Sequence, residues 1–309
     1  MKSFYKKAAL LAFLLLIVLL CLDIMSMYKP FDRILADLTD SSEYFGGGPD
    51  EIMPAIVRAQ SEDGTTKLII GDSVCRQLFN DLQEQNEDIA IIGSNAAITM
   101  SGQYILAKEY LDHHPSATDV FLIVLPASLK QTYSMNLGYT YAVMPFALTD
   151  TLYHLDDNTL DIMADTYGRP FLNGLVVKGL HLSAVNRKIY LNYLADHSHS
   201  YKLSSPFELA DQYVGKIAEL CNERGVKFHL YPCPVCESNK DSAEAMSEQF
   251  ASSKLYEINP DYFDMIDYFS ADQSQDGVHF DGNVYDREMF NSIIMEDYKG
   301  EVLLDYLKY

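Results

Sequence analysis

The chain contains no tryptophan, has only five cysteines, and carries 23 basic against 44 acidic residues. Each shortage excludes something. With a formal charge of −21 and a pI near 4.6, the surface repels phosphate backbones, so nucleic acid is not an expected partner. No acidic run is long enough to be a tail; the negative charge is spread over the body, as on a solvated surface. Only Cys233 and Cys236 form a close pair, Cys-Pro-Val-Cys, and no second CxxC exists, so a zinc site lacks two of its ligands. The pair reads as a strand-end loop without chemistry or as a local disulfide; a redox role has only its strand-then-CxxC placement in its favour. Cys21, Cys75 and Cys221 fall in an apolar segment or in predicted helices. No internal repeat occurs. What is abundant is apolar residue, 48% of the chain, ample for a packed core.

The first 28 residues stand apart. Lys2, Lys6 and Lys7 precede an uninterrupted apolar run from Ala8 to Leu22, which Asp23 interrupts. That run alone suits a signal-peptide core, and the flanking Phe4, Tyr5 and Ile24 to Tyr28 extend it to spanning length. No small-x-small pair follows Leu22 at the place expected of a cleavage site, and Leu20 stands before Cys21 where a lipobox needs a small residue. An uncleaved signal anchor is therefore expected over residues 1–28, single-pass in the cell membrane. The lysines keep the N-terminus cytoplasmic and send the body across.

Residues 29–66 include Gly46-Gly47-Gly48-Pro49 and many polar positions, and read as a stalk or lead-in. Regular patterning starts at Lys67. Apolar strands are predicted at Leu68 to Ile70, Ile89 to Ile92 and Val120 to Leu125, with helices at Val74 to Gln85 and Gln103 to Leu111 between them. Strands apolar on both faces and alternating with helices predict an α/β fold, a three-layer α/β/α sandwich with a parallel sheet. Residues 130–205, rich in Tyr, Leu and Asn with a helical stretch at Leu182 to Leu194, read as an insertion that could cap the site. The pattern resumes with a helix from Pro206 to Arg224, stopped by Gly225, and a strand from Val226 to Tyr231. A helix at Ser242 to Phe250, a short strand at Leu255 to Ile258 and a final helical region from Val284 complete the body, residues 67–309.

In open parallel sheets, functional groups gather where strands end. Ser73 directly follows the first strand and opens a helix, where backbone N–H groups face an oxyanion. A serine hydroxyl needs a base, and the base needs a third group to fix its tautomer. Asp276 and His279, three residues apart near the chain's end, supply both types. Activity is then expected to rise as a histidine base loses its proton, roughly across pH 6–7.

These residues carry a resemblance. Gly71-Asp72-Ser73 after an apolar strand resembles the GDS(L) block of the SGNH hydrolase superfamily, and Asp276-Gly277-Val278-His279 resembles its final DxxH block. The strand from Val226 to Tyr231 followed by Pro232 is similar to the strand before that last block. The resemblance spans roughly residues 67–290. It implies a flavodoxin-like sandwich, Ser73 as nucleophile, His279 as base and Asp276 as its orienting acid. Membrane-anchored versions resemble proteins of cell-envelope polysaccharide modification, the DltD-like and alginate-acetylation groups. The implied function is serine-dependent acyl transfer, as an O-acetyltransferase, to a cell-surface polysaccharide outside the cytoplasm. An acyl-ester donor, a glycan acceptor and a membrane-bound acyltransferase are the implied partners, with no cofactor and no metal. The alternatives are a GDSL-type carbohydrate or lipid esterase and a non-catalytic assembly factor for an envelope acylation complex.

The middle blocks depart from the family. Gly93-Ser94-Asn95-Ala96 follows the second strand, offering Gly93 or Asn95 to the oxyanion hole. After the third strand Pro126-Ala127-Ser128-Leu129 replaces the family's GxND, with Ser128 at about the asparagine's position. Plainer roles stand beside these. Ser73 is suited to be a helix N-cap, His279 a surface histidine, and Asp276 a cap ahead of Gly277. Asp72 is expected to hold the Gly-Asp-Ser turn. Cys75 should point away from Ser73, and His113-His114 mark a helix end rather than a metal site. The 22 tyrosines suit a carbohydrate groove, or else the core and its rim.

Overall fold

In the computed structural model the described residues are 2–26, 49–79, 87–94, 99–134, 143–181 and 201–282. Helix α1 (Lys2–Ser26) contains the 18-residue stretch Phe4–Cys21, with a mean hydropathy of 2.2 and no part buried against the protein. At 1.5 Å per residue that stretch covers about 27 Å, close to the thickness of a bilayer's hydrocarbon core. The chain thus has one N-terminal helix long and apolar enough to span a membrane.

Helix α2 (Pro49–Ala59) departs from the expected stalk. Ile52, Ala55, Ile56 and Ala59 recur on one helical face and are buried in the main core, so the body starts well before Lys67. Residues 29–48 of that expected stalk otherwise lie outside the described residues.

Next come β1 (Lys67–Gly71), α3 (Ser73–Phe79), β2 (Ile89–Gly93), α4 (Thr99–His113), β3 (Asp119–Val124) and α5 (Pro126–Leu129). After these the chain forms α6 (Met144–Leu148), α7 (Asp157–Tyr167), α8 (Gly174–His181), α9 (Glu208–Arg224) and β4 (Lys227–Pro232). Last are β5 (Val235–Cys236), α10 (Lys240–Phe250), α11 (Leu255–Ile258) and β6 (Tyr268–Phe269). Strands β1 to β4 make one all-parallel sheet in the order β2-β1-β3-β4, and β5 and β6 pair separately. The architecture is mixed α/β.

Alternate residues of each strand enter opposite cores. Leu68, Ile70, Leu122 and Leu230 meet the apolar sides of α2, α4 and α9. Ile69, Phe121 and Ile123 instead meet Val74, Leu78 and Phe79 of α3, together with Phe269 and Phe280. Both faces are buried, which explains the uninterrupted apolar runs. Gly225 ends α9 with a φ of 69°, its N–H on the Asn222 carbonyl.

Two expectations change here. Leu255–Ile258 is a helical turn, not a strand: Leu255 is buried and Tyr256 and Glu257 are both exposed, so burial does not alternate. In the expected insertion, α6 to α8 do not stand apart from the body. Phe146, Met163, Tyr167 and Val177 enter the core shared with α4 and α9. The predicted helix at Leu182 to Leu194, the end of the one at Val74 to Gln85 and the region from Val284 lie outside the described residues. Cys233 and Cys236 are both buried with free thiols, as are Cys75 and Cys221.

Candidate active site

The sheet order puts Ser73 beside a topological switch point. β1 leads to β2 on one side and its neighbour β3 leads to β4 on the other, so the connections leaving the carboxyl ends of β1 and β3 run in opposite directions. Ligands of open α/β sheets bind at such a reversal. The turn there is tight. A Cβ on Gly71 would lie 1.9 Å from the Ile123 carbonyl oxygen and 2.6 Å from Cys75 Cβ, so only glycine fits.

Asp72, not Ser73, caps α3. Its Oδ1 accepts from the N–H groups of Val74 (3.1 Å) and Cys75 (3.3 Å), the pattern of an N-cap. Its Oδ2 accepts from the Leu125 N–H and the Ser128 hydroxyl, each at 2.7 Å. One carboxylate therefore joins the turn after β1 to the turn after β3. This leaves the Ser73 hydroxyl free for other work.

That hydroxyl lies 2.7 Å from Nε2 of His279, and Nδ1 of His279 lies 2.7 Å from Oδ2 of Asp276. The other carboxylate oxygen, Oδ1, accepts from the backbone N–H groups of Val278 (2.9 Å) and His279 (2.8 Å). The imidazole bond first, then these two N–H groups, hold the Asp276 carboxyl well below the usual carboxylate range. With Nδ1–H pointing at a carboxylate, Nε2 is left as the acceptor for the serine proton.

The arm carrying this pair is folded locally. Gly277 takes a φ of 74°, its N–H donates to Ser274 Oγ at 2.9 Å, and Ser274 Oγ donates to the His279 carbonyl at 2.6 Å. Asn239 holds the Gly277 carbonyl at 2.7 Å. Phe280 anchors the arm in the core, and Gln77 of α3 donates to its carbonyl at 2.5 Å. The helix that bears Ser73 therefore also grips the arm that bears His279.

The side chains of His279 and Asp276 are 41% and 53% exposed. At such exposure even a charged pair contributes only about 0–1 kcal/mol, so this hydrogen bond fixes orientation more than it stabilises the fold.

Of the expected oxyanion residues, Ser128 stands in the turn after β3. Its single hydroxyl proton is committed to Asp72, and it serves the turn rather than an acyl oxygen. Gly93 has a packing reason to be glycine, since a Cβ there would come within 2.8 Å of Arg76 Cα. Asn95 lies outside the described residues. The Ser73 N–H has no partner among the described residues, because the cap satisfies only Val74 and Cys75.

The bystanders are accounted for. Cys75 is fully buried, its thiol pushed well above its ordinary value by burial and then by Asp72, which suits no nucleophile. His113 and His114 bond backbone carbonyls of their own helix through Nδ1, and His114 also meets Asp63. No cluster of three metal-ligating side chains occurs among the described residues. Tyr110, Tyr133, Tyr167, Tyr213 and Tyr262 are core residues rather than the wall of a groove. Sequence patterns gave no sign of the Gln77 grip or of the reach of Asp72 to Leu125, both contacts between distant segments.

Comparison of the chain with protein-family models, with curated proteins and with solved structures returns no match.

Proposed function

We propose that this protein is a serine-dependent acyl-transfer enzyme of SGNH type, with Ser73 as nucleophile, His279 as general base and Asp276 as the residue that orients it. The unbroken Ser73–His279–Asp276 relay, 2.7 Å at each step, carries the reading. Ser73 Oγ attacks the acyl carbon as its proton passes to Nε2 of His279, and the developing oxyanion meets the Ser73 N–H. The imidazolium returns the proton to the departing alcohol. A second alcohol or water, deprotonated by His279, then releases the acyl group. On this reading the body completes a flavodoxin-like three-layer sandwich.

The acceptor we favour is a hydroxyl of a cell-surface polysaccharide, with acetyl as the acyl group. Its support is the apolar helix α1 with lysines in its first two turns, the arrangement of an anchor holding the body outside the cytoplasm. A membrane-bound acyltransferase as donor partner belongs to the same proposal. Hydrolysis is the second reading, favoured by the exposure of His279 and Asp276 to water.

The test is labelling of the full chain with a fluorophosphonate probe beside its Ser73→Ala variant. Labelling of the wild type alone is expected, with turnover of p-nitrophenyl acetate. Equal, background labelling of both, with no ester turnover, sinks the catalytic reading. Acetylated oligosaccharide from an activated acetyl donor marks a transferase; free acetate without product marks an esterase.

A further inference from the structure

Beneath the nucleophile turn lies a polar side chain that the relay does not use. Gln103, in the second turn of α4 and 2% exposed, donates from Nε2 to the carbonyl oxygen of Gly71 at 3.0 Å. The backbone N–H of Ser94 donates to the same oxygen at 3.1 Å. That carbonyl belongs to the last residue of β1, two before Ser73. It is already hemmed in, because Gly71 packs directly on Ile123 and Cys75.

For the fold alone, an amide here is a poor choice. Gln103 Oε1 is buried and has no hydrogen-bond partner, and neither has the buried hydroxyl of neighbouring Ser94. A buried polar atom without a partner keeps its full desolvation cost, whereas an apolar side chain of similar shape would be neutral or better. The helix that presents Gln103 also starts under strain. Thr99, its first residue, is β-branched yet has a φ of 45°. Buried polar atoms left unsatisfied beside strained backbone point to function rather than stability.

We propose that Gln103 is a positioning residue for the nucleophile. By fixing the Gly71 carbonyl from the α4 side, while Asp72 fixes the turn from the β3 side, it sets the direction in which Ser73 leaves the sheet. The proposal rests on the reading of Ser73 as nucleophile.

It predicts a split between stability and rate. Gln103→Met keeps the length of the side chain, removes the unsatisfied oxygen and leaves the Ser94 bond in place. The variant should melt at or above the wild-type temperature. Its kcat for p-nitrophenyl acetate and its rate of fluorophosphonate labelling should each fall about tenfold with KM unchanged, the signature of a misaimed reacting group. Ser94→Ala, which keeps the backbone bond, should hold the wild-type kcat. A lowered melting temperature or failure to fold in Gln103→Met would show that the amide serves the fold and would overturn the proposal. So would a wild-type rate in Gln103→Met when the wild type itself labels, with the reading of Ser73 left intact. A wild type that labels no better than Ser73→Ala overturns both.

Discussion

Replacing Asp72 with alanine strands hydrogen-bond donors on two separate turns at once. At the start of α3 the N–H groups of Val74 and Cys75 lose their acceptor, and loss of such a cap costs about 1 kcal/mol. After β3 the Leu125 N–H and the buried Ser128 hydroxyl lose theirs. The hydroxyl can rotate toward another acceptor, but a backbone N–H left unsatisfied costs about 1–3 kcal/mol. Together these give about 2–4 kcal/mol. In a domain of this size each kcal/mol shifts the melting temperature by about 2–4 °C, so a fall of about 5–15 °C is expected. Asp72→Asn keeps one acceptor oxygen but turns a nitrogen toward groups that are themselves donors, and should fall between alanine and the wild type. Thermal melts of the three proteins at neutral pH, followed by circular dichroism, measure this. A midpoint for Asp72→Ala within about 1 °C of the wild type would mean that the carboxylate does not hold the two turns together, and the account of the site's frame would fail.

Gly71→Ala should be more severe, since a Cβ 1.9 Å from a backbone oxygen forces the sheet itself to move; loss of soluble, cooperatively melting protein is expected in an expression and melting screen. Asp276→Asn should leave the melting temperature within a few degrees, because the side chain is 53% exposed, while kcat for p-nitrophenyl acetate falls by at least about a hundredfold as the imidazole loses the partner that fixes its tautomer. Glu109 offers a test away from the site: burial favours its neutral form, but bonds from His154 and Gln60 outweigh that and lower its pKa. A lowered folded pKa gives stability that is full above the unfolded value of about 4.3 and lost as pH falls through the folded one. Glu109→Gln should therefore melt below the wild type at pH 7, with the gap closing on titration below about pH 4.

The parts of the fold legible in the sequence were those whose signal is local. β1 and β3 announce themselves as apolar runs because both faces of the sheet are covered, and Gly225 marks the end of α9. Helix α2 was hidden by the Gly-Gly-Gly-Pro before it and by Pro54 within it, although Ile52, Ala55, Ile56 and Ala59 repeat at helical spacing. Leu255–Ile258 is too short for periodicity to separate a strand from a helical turn. At the site, Ser73 after a strand and Asp276 three residues before His279 were readable as short strings. The bond of Ser128 to Asp72 was not readable, because the two lie 56 positions apart. Gln103 gave no signal at all, since its one bond reaches back 32 residues to a backbone atom that could belong to any amino acid.

The bond between Ser73 and His279 joins residues 206 positions apart, and this has a temporal meaning. A chain made from its N-terminus presents the serine 206 residues before the histidine. Until then the hydroxyl has no base and is as inert as any serine. The two meet only once the arm is seated, with Phe280 in the core and Gln77 on its carbonyl. A copy in which the arm is unmade or unseated carries Ser73 without its imidazole partner.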